Sequence, residues 1–284
     1  MNAFFYYVLA YVYTTQTLIA AILGACIGSF LNVMISRLPE ERMLSTHRSC
    51  CPGCGTMIPI YWNIPIVSYL LLLGKARCCS YRIPSRYVLM EILGAVVAVL
   101  IYWHLPFAGY IKGVGWSIDI DDFFRFLHAL VFVYLLIVCA WIDHDHMIIP
   151  DWISLPMIGF SPLVVWLHPD LNAKSAALGV LLGGGSLYCI AWLYYIVRGD
   201  IGLGMGDVKL LAAIGGWLGF QSVGPTLFLG SFVGAAFGIS ALAMTRSLSM
   251  KTAIPFGPFL VFGAFVHLFF GNQLQEWLLF LPRS

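Results

Sequence analysis

Eight apolar runs, each near the length of a bilayer-spanning helix, constrain this chain more than any other feature. They lie near 14–36, 87–104, 124–142, 152–168, 175–197, 207–221, 223–245 and 255–281. A hydrocarbon core about 30 Å thick takes about 20 apolar residues of helix. Backbone facing lipid must also satisfy its own polar groups, which a helix does. The expected fold class is therefore an all-α polytopic membrane protein with about eight transmembrane helices. Composition agrees, because 10% of residues are charged where a soluble domain carries about 25%. The first run has no basic n-region or small-residue cleavage site and reads as a retained span. A net charge of +2 gives no reason to expect nucleic acid as a partner; the lipid bilayer is the expected one.

Basic residues orient the spans. Arg37, Arg42, Arg48, Lys75, Arg77, Arg82 and Arg86 sit in or beside the long polar loop between the first two runs, which places that loop in the cytoplasm. Counting onward puts Asp143, Arg198, Asp207, Lys209, Arg246 and Lys251 on the same side. Lys112, Arg125, Lys174 and Arg283 fall outside, so 11 of the 15 basic residues are inside. The expected organisation is a first transmembrane segment over 1–37, a cytoplasmic Cys-rich loop over 38–86, and a membrane-embedded core over 87–284. The polar spacer around 105–123 reads as an external loop.

The cytoplasmic loop holds Cys50-Cys51-Pro-Gly-Cys54 and, after 23 intervening residues, Cys78-Cys79. Two cysteines spaced C-x-x-C on a Pro-Gly turn can aim both sulfurs at one ion, and a distant second pair completes a tetrahedral zinc site. Adjacent side chains rarely converge on one ion, so one ligand is expected from Cys78 and Cys79. Reduced thiols without metal are the alternative. Cys26, Cys139 and Cys189 lie inside spans and are expected to pack in the core.

Two acids stand apart. Asp143 directly follows the apolar run Leu135–Ile142, a depth at which a carboxylate is costly and marks function by default. Asp207 follows Gly202-Leu-Gly204-Met-Gly206, where glycines allow positive φ or close approach. By contrast His144, Asp145, His146 and Asp151 read as interfacial turn residues: Pro150 breaks the helix, and Asp151 is placed to cap the next. Lys209 reads as an anchor among headgroups. Two carboxylates at one membrane face can share a proton, as an aspartic peptidase requires. Proton or ion translocation and structural hydrogen bonding remain open for the same pair.

These residues resemble the bacterial type IV prepilin peptidases. Gly204-Met-Gly206-Asp207 is similar to the GxGD signature, and Asp143 precedes an Ile-Pro-Asp turn as the family's first catalytic aspartate does. Gly28-Ser-Phe-Leu-Asn-Val33 with Arg37-Leu-Pro39 follows the first-span motif. Cys51-Pro-Gly-Cys54, Asn63-Ile-Pro65, Ser68, Gly74-Lys75, Arg86-Tyr87 and Glu91 follow the loop pattern in order. The resemblance implies catalytic Asp143 and Asp207 on a loop whose backbone includes Gly204 and Gly206. It implies cleavage of basic leaders from prepilin or pseudopilin precursors at the cytoplasmic face of the bacterial inner membrane. It also implies methylation of the new N-terminus from S-adenosylmethionine.

The chain departs from the family at two places. Ala76 stands where the second zinc pair has its first cysteine, so the implied zinc ligands are Cys51, Cys54 and Cys79, with Cys78 the best-placed substitute. Val88 stands where the family usually has Pro, a change of little consequence near a helix start. Asn32 and Glu91 are candidate contacts for the amine or sulfonium of S-adenosylmethionine, or equally inter-helix hydrogen-bonding residues. Gly183-Gly184-Gly185 lies mid-span and is expected to serve close helix packing. A soluble dinucleotide loop is not expected, because Asp207 stands where G-x-G-x-x-G needs its last glycine.

Three other functions are weighed. A transporter using Asp143 and Asp207 as a relay calls for repeat symmetry, and no second Gly-rich acidic segment occurs. An assembly factor would tolerate Asn at both positions. A peptidase that has lost methylation stays within the family.

Overall fold

The computed structural model describes residues 3–40, 50–111, 115–166, 168, 171–200, 202–244 and 254–279. Arg42, Arg48, Lys112, Arg246, Lys251 and Arg283, used above to orient the spans, lie outside these residues. Each of the eight apolar runs contains a helix. The helices are α1 (Ala3–Arg37), the short α2 (Val67–Leu71), α3 (Ser85–His104), α4 (Ile120–His146), α5 (Asp151–Val164), α6 (Ala173–Arg198), α7 (Met205–Leu218), α8 (Val223–Met244) and α9 (Gly257–Leu279). Among the described residues, five segments are long and apolar enough to cross a membrane: Thr14–Glu40, Ser85–His104, Ile120–His146, Ala173–Arg198 and Phe220–Met244. The protein is thus a multi-pass, all-α membrane protein. At 14 residues each, α5 and α7 are about 21 Å long, short of the about 30 Å hydrocarbon core.

The chain forms two compact units, Met1–Leu130 and Val131–Ser284. In the first, α1 and α3 run antiparallel in close contact. Gly28 meets the backbone of Met90 and Glu91, and Gly24 meets that of Gly94 and Ala95. A side chain at either glycine would collide with main chain, which is why small residues stand at helix contacts in lipid. Asn32 seals the pair: its Nδ2 donates to the carbonyls of Tyr87 at 3.1 Å and Gly28 at 3.4 Å. Pro84 precedes the first turn of α3, so the helix start that Val88 leaves without proline has one upstream.

The spacer expected as plain loop carries a hairpin. β1 (Ala108–Ile111) pairs antiparallel with β2 (Gly115–Ile118), Ala108 opposite Ile118. Asp119 Oδ1 then accepts the N–H groups of Asp121 at 2.9 Å and Asp122 at 3.1 Å, capping α4 in the usual way. Tyr102, Phe107, Phe123 and Phe126 close an aromatic cluster beneath it.

In the second unit α7 is the central helix. Leu210, Leu211, Ala213 and Ile214 are fully buried, as expected for a helix apolar on all sides. The glycine run of α6 does what the sequence suggests: Gly183 packs on the backbone of Leu211 and Ala212, and one turn away Gly179 meets Gly215. Gly185 faces open space. Trp217 Nε1 donates to the Met157 carbonyl of α5 at 2.7 Å, and its ring stacks on Phe132 of α4 at 5.7 Å. α8 and α9 are also antiparallel, with Gly230 against Phe259 and Gly263 against Thr226.

Two of the three remaining intramembrane cysteines differ from expectation. Cys139 is buried, but Cys26 and Cys189 are exposed on their helices. An apolar span has a lipid-facing side as well as a core side, and period alone does not tell which side a residue takes.

Candidate active site

Asp143 lies in the last turn of α4, where Met147 ends the helix. Met147 takes φ +54 and its N–H returns to the Asp143 carbonyl at 2.8 Å. The chain then passes through Ile149 and Pro150 into α5. His144, Asp145 and His146 are exposed, but they form the last turn of α4 rather than the expected turn after it, and His144 packs edge-on against Trp141. Asp207 lies in the first turn of α7. Although both carboxyls are ionisable, Asp143 is only 5% exposed and Asp207 only 9%. The two acids, 64 positions apart in sequence, lie within Coulombic range of each other.

The glycines before Asp207 do not serve positive φ. Left-handed glycines occur at Gly55, Gly74, Gly199 and Gly219, and the N-cap Gly204 is extended at φ −72. Gly202 and Gly206 serve close approach instead. A Cβ on Gly206 would sit 3.0 Å from Cβ of Ile149, so the glycine lets the start of α7 press against the turn that follows Asp143. Gly202 lies flat against the Tyr194 ring in the same way.

One further expectation at this face needs correction. Asp151 is not the cap of α5: Pro150 holds that position, with no side-chain cap bond. Asp151 instead pairs with Lys209, whose Nζ lies 2.6 Å from its Oδ1. An acid in the first turn of α5 still faces the positive helix end, and the lysine one helix away completes the pair.

A third segment enters the site that the sequence did not suggest. The N–H of Gly257, first residue of α9, donates to Asp143 Oδ2 at 2.8 Å in a buried bond. A Cβ on residue 257 would fall 2.7 Å from that oxygen. Pro255-Phe-Gly257-Pro258 reads in sequence as an ordinary turn before a helix. A main-chain donor 114 positions away leaves no side-chain signature.

In the first unit the cysteine loop builds its own cluster. The Cys50–Met57 and Lys75–Arg82 bridges frame two tight turns, and Gly53 of one rests against Tyr81 of the other. Four sulfurs, of Cys51, Cys54, Cys78 and Cys79, all lie within 4.8 Å of one another. Cys51 faces Cys79 at 3.6 Å and Cys54 faces Cys78 at 3.2 Å. Tetrahedral thiolate ligands about 2.3 Å from an ion stand about 3.8 Å apart, close to these separations, and all four cysteines are free of disulfides. The adjacent Cys78 and Cys79, expected to supply one ligand, both converge because each faces a different member of the first pair. Cys50 is exposed and outside the cluster.

The sulfurs are unequal. The hydrogen bond to Thr56 brings the Cys54 thiol down to about 6. N–H groups of Gly53 and Cys54 lower Cys51. Cys78, paired with an already acidic Cys54, is pushed up to about 12.

Asn32 and Glu91 are both engaged within the first unit. Asn32 spends its amide hydrogens on the α1–α3 pair. Glu91 Oε2 accepts the N–H of Ile66 at 2.7 Å, holding a residue with φ +64 just before α2.

Sequence comparison places these arrangements in context. Residues 22–105 match the bacterial peptidase A24 N-terminal domain, and residues 130–239 match the type IV leader peptidase family. The chain belongs to the type IV leader peptidase family. It is 34% identical over 278 residues to a prepilin leader peptidase/N-methyltransferase of Aeromonas salmonicida strain A449, covering 89% of this chain and 90% of that one. A protein of the same name from Pseudomonas aeruginosa is 32% identical, with 90% of each chain covered. Another, from Stutzerimonas stutzeri, is 32% identical over 94% of both. No solved structure matches the chain. The first family segment contains the cysteine cluster with Asn32 and Glu91, and the second contains both buried acids.

Proposed function

We propose that this protein is an aspartic endopeptidase of the bacterial inner membrane that removes the leader of type IV prepilin-like precursors and methylates the new N-terminus. The observation that carries the peptidase reading is the burial of Asp143 and Asp207 within electrostatic reach of each other, in a chain of this family. Two carboxylates so placed share one proton. One takes a proton from the attacking water while the other protonates the carbonyl oxygen. Gly204, where an added Cβ would meet only the Asp207 carboxyl at 3.7 Å and the Gly206 N at 4.0 Å, keeps the backbone beside Asp207 bare and leaves room for an extended substrate, while Gly206 lets α7 press against Ile149. Precursors cut at the cytoplasmic face leave a basic leader inside, in keeping with the positive-inside distribution of the chain.

The cysteine cluster fits zinc in donor chemistry and spacing. Cys51, Cys54, Cys78 and Cys79 would hold the ion, with Cys78 in place of the cysteine that Ala76 lacks. Bound there, zinc would cross-link the two turns and stabilise the loop.

Methyl transfer draws on S-adenosylmethionine, which supplies an electrophilic methyl group on a sulfonium. Glu91 fits this cation, since Oε2 is occupied by Ile66 while Oε1 is left for a positive group. Asn32 can offer only its carbonyl oxygen, because its donors are spent.

The test is direct. Purified protein in nanodiscs is mixed with a prepilin-type precursor and labelled S-adenosylmethionine, and mass spectrometry follows both steps. Leader loss with a methylated product supports both activities. Leader loss without label removes the methyltransferase, and an intact precursor overturns the reading.

A further inference from the structure

The hydrogen bond between Gly257 and Asp143 treats the two acids differently. Asp143 Oδ2 receives a buried main-chain N–H at 2.8 Å, while no comparable donor reaches Asp207 among the described residues. A hydrogen bond to a carboxylate favours its ionised form, and here the donor belongs to the first turn of a helix, where free N–H groups concentrate. The fit is also exclusive: any Cβ at 257 would lie 2.7 Å from Oδ2 and 3.1 Å from Cγ of Asp143.

We propose that Gly257 is a positioning residue that pins one oxygen of Asp143, making Asp143 the carboxylate that takes the proton from water and Asp207 the acid that protonates the substrate. The inference rests on the peptidase reading above. In the first step Asp143 Oδ1 accepts a proton from water as its oxygen bonds to the scissile carbonyl carbon. The Asp207 proton passes to the carbonyl oxygen, giving a neutral diol. In the second step the C–N bond breaks, the proton on Asp143 goes to the leaving nitrogen, and one diol proton returns to Asp207. The products are a carboxylic acid and an amine, and both aspartates recover their starting states.

A purely structural bond would act differently. If Asp143 served only to cap α9, losing the contact would lower stability and leave turnover intact. A positioning role predicts the converse. Displacing a reacting group by about 1 Å can cost about 100-fold.

The experiment compares Gly257→Ala, which keeps the N–H and adds the obstructing Cβ, with Gly257→Pro, which removes the N–H at a first helical position that tolerates proline. Both are assayed against the wild type for kcat and KM of leader removal, for methylation of an already processed peptide, and for thermal unfolding. The expected result is a fall in kcat of about 100-fold for both, with KM and methylation within about twofold and an unchanged unfolding midpoint. Wild-type kcat in either folded variant overturns the proposal. So does a loss of kcat that merely tracks a loss of stability or methylation. If the wild type itself fails to cut, the peptidase reading falls instead, so the two failures are distinct.

Discussion

Lys209 Nζ sits 2.6 Å from Asp151 Oδ1, joining the N-terminal part of α7 to the first turn of α5 two residues from Asp207. The side chains are 31% and 56% exposed, and a pair so open to solvent contributes about 0–1 kcal/mol. Lys209→Met and Asp151→Asn should therefore each move the unfolding midpoint by no more than about 4 °C. Leader removal should fall less than about tenfold, as expected for a loss of about 1.4 kcal/mol or less. The double variant should do no worse than the weaker single one. A loss of about 1000-fold in either would assign the pair to the reaction itself.

Glycines on one helix should differ sharply in tolerance. Gly179 and Gly183 touch the backbone of α7, whereas Gly185 faces open space. Gly183→Val forces overpacking, expected to cost about 1–3 kcal/mol or more. Gly185→Ala removes a flexible residue from a helix interior and should be neutral or stabilising by up to about 1 kcal/mol. Thermal unfolding in detergent measures both, and equal effects would show that α6 and α7 do not meet through these positions.

Zinc content reads out the cysteine cluster. Cys78→Ser should lower bound zinc well below one ion per chain, while Cys50→Ser should leave it unchanged. Metal binding requires thiolates, and Cys78, pushed up to about 12, keeps its proton near neutrality until an ion displaces it. Zinc affinity should thus fall as pH falls. Calorimetry in buffers of different ionisation enthalpy should report proton release on binding. Full zinc content in Cys78→Ser would return the fourth position to another ligand.

Glu91→Gln separates the two activities. The amide oxygen still accepts the Ile66 N–H, but the negative charge is gone. Methyl transfer should drop at least about tenfold, the effect of losing about 1.4 kcal/mol of charge stabilisation, and leader removal should stay near wild type. Equal loss of both activities would make Glu91 a structural residue of the α3–α2 contact.

Much of the molecule was legible from its residues because the relevant physics is local. Apolar runs of span length become helices in lipid for want of any other backbone partner, and the Gly183 run implied close packing. An acid directly after an apolar run is costly enough to be noticed, which exposed Asp143, and the glycines directly before Asp207 exposed the second acid. What stayed hidden depends on tertiary contact. The Gly257 N–H carries no side chain to betray it. The convergence of Cys78 and Cys79 depends on two turns facing each other, and the partner of Lys209 lies 58 positions away. The glycines before Asp207 showed that something unusual happens there, but close approach to Ile149 rather than positive φ emerged only from the packing.

The most direct test of the aspartate pair replaces each acid by its neutral isostere. Wild type, Asp143→Asn and Asp207→Asn, each confirmed folded by thermal unfolding, are incubated with a prepilin-type precursor, and mass spectrometry follows leader loss. The account predicts that the wild type cuts and that both variants leave the precursor intact. Cleavage at the wild-type rate by either variant would contradict it.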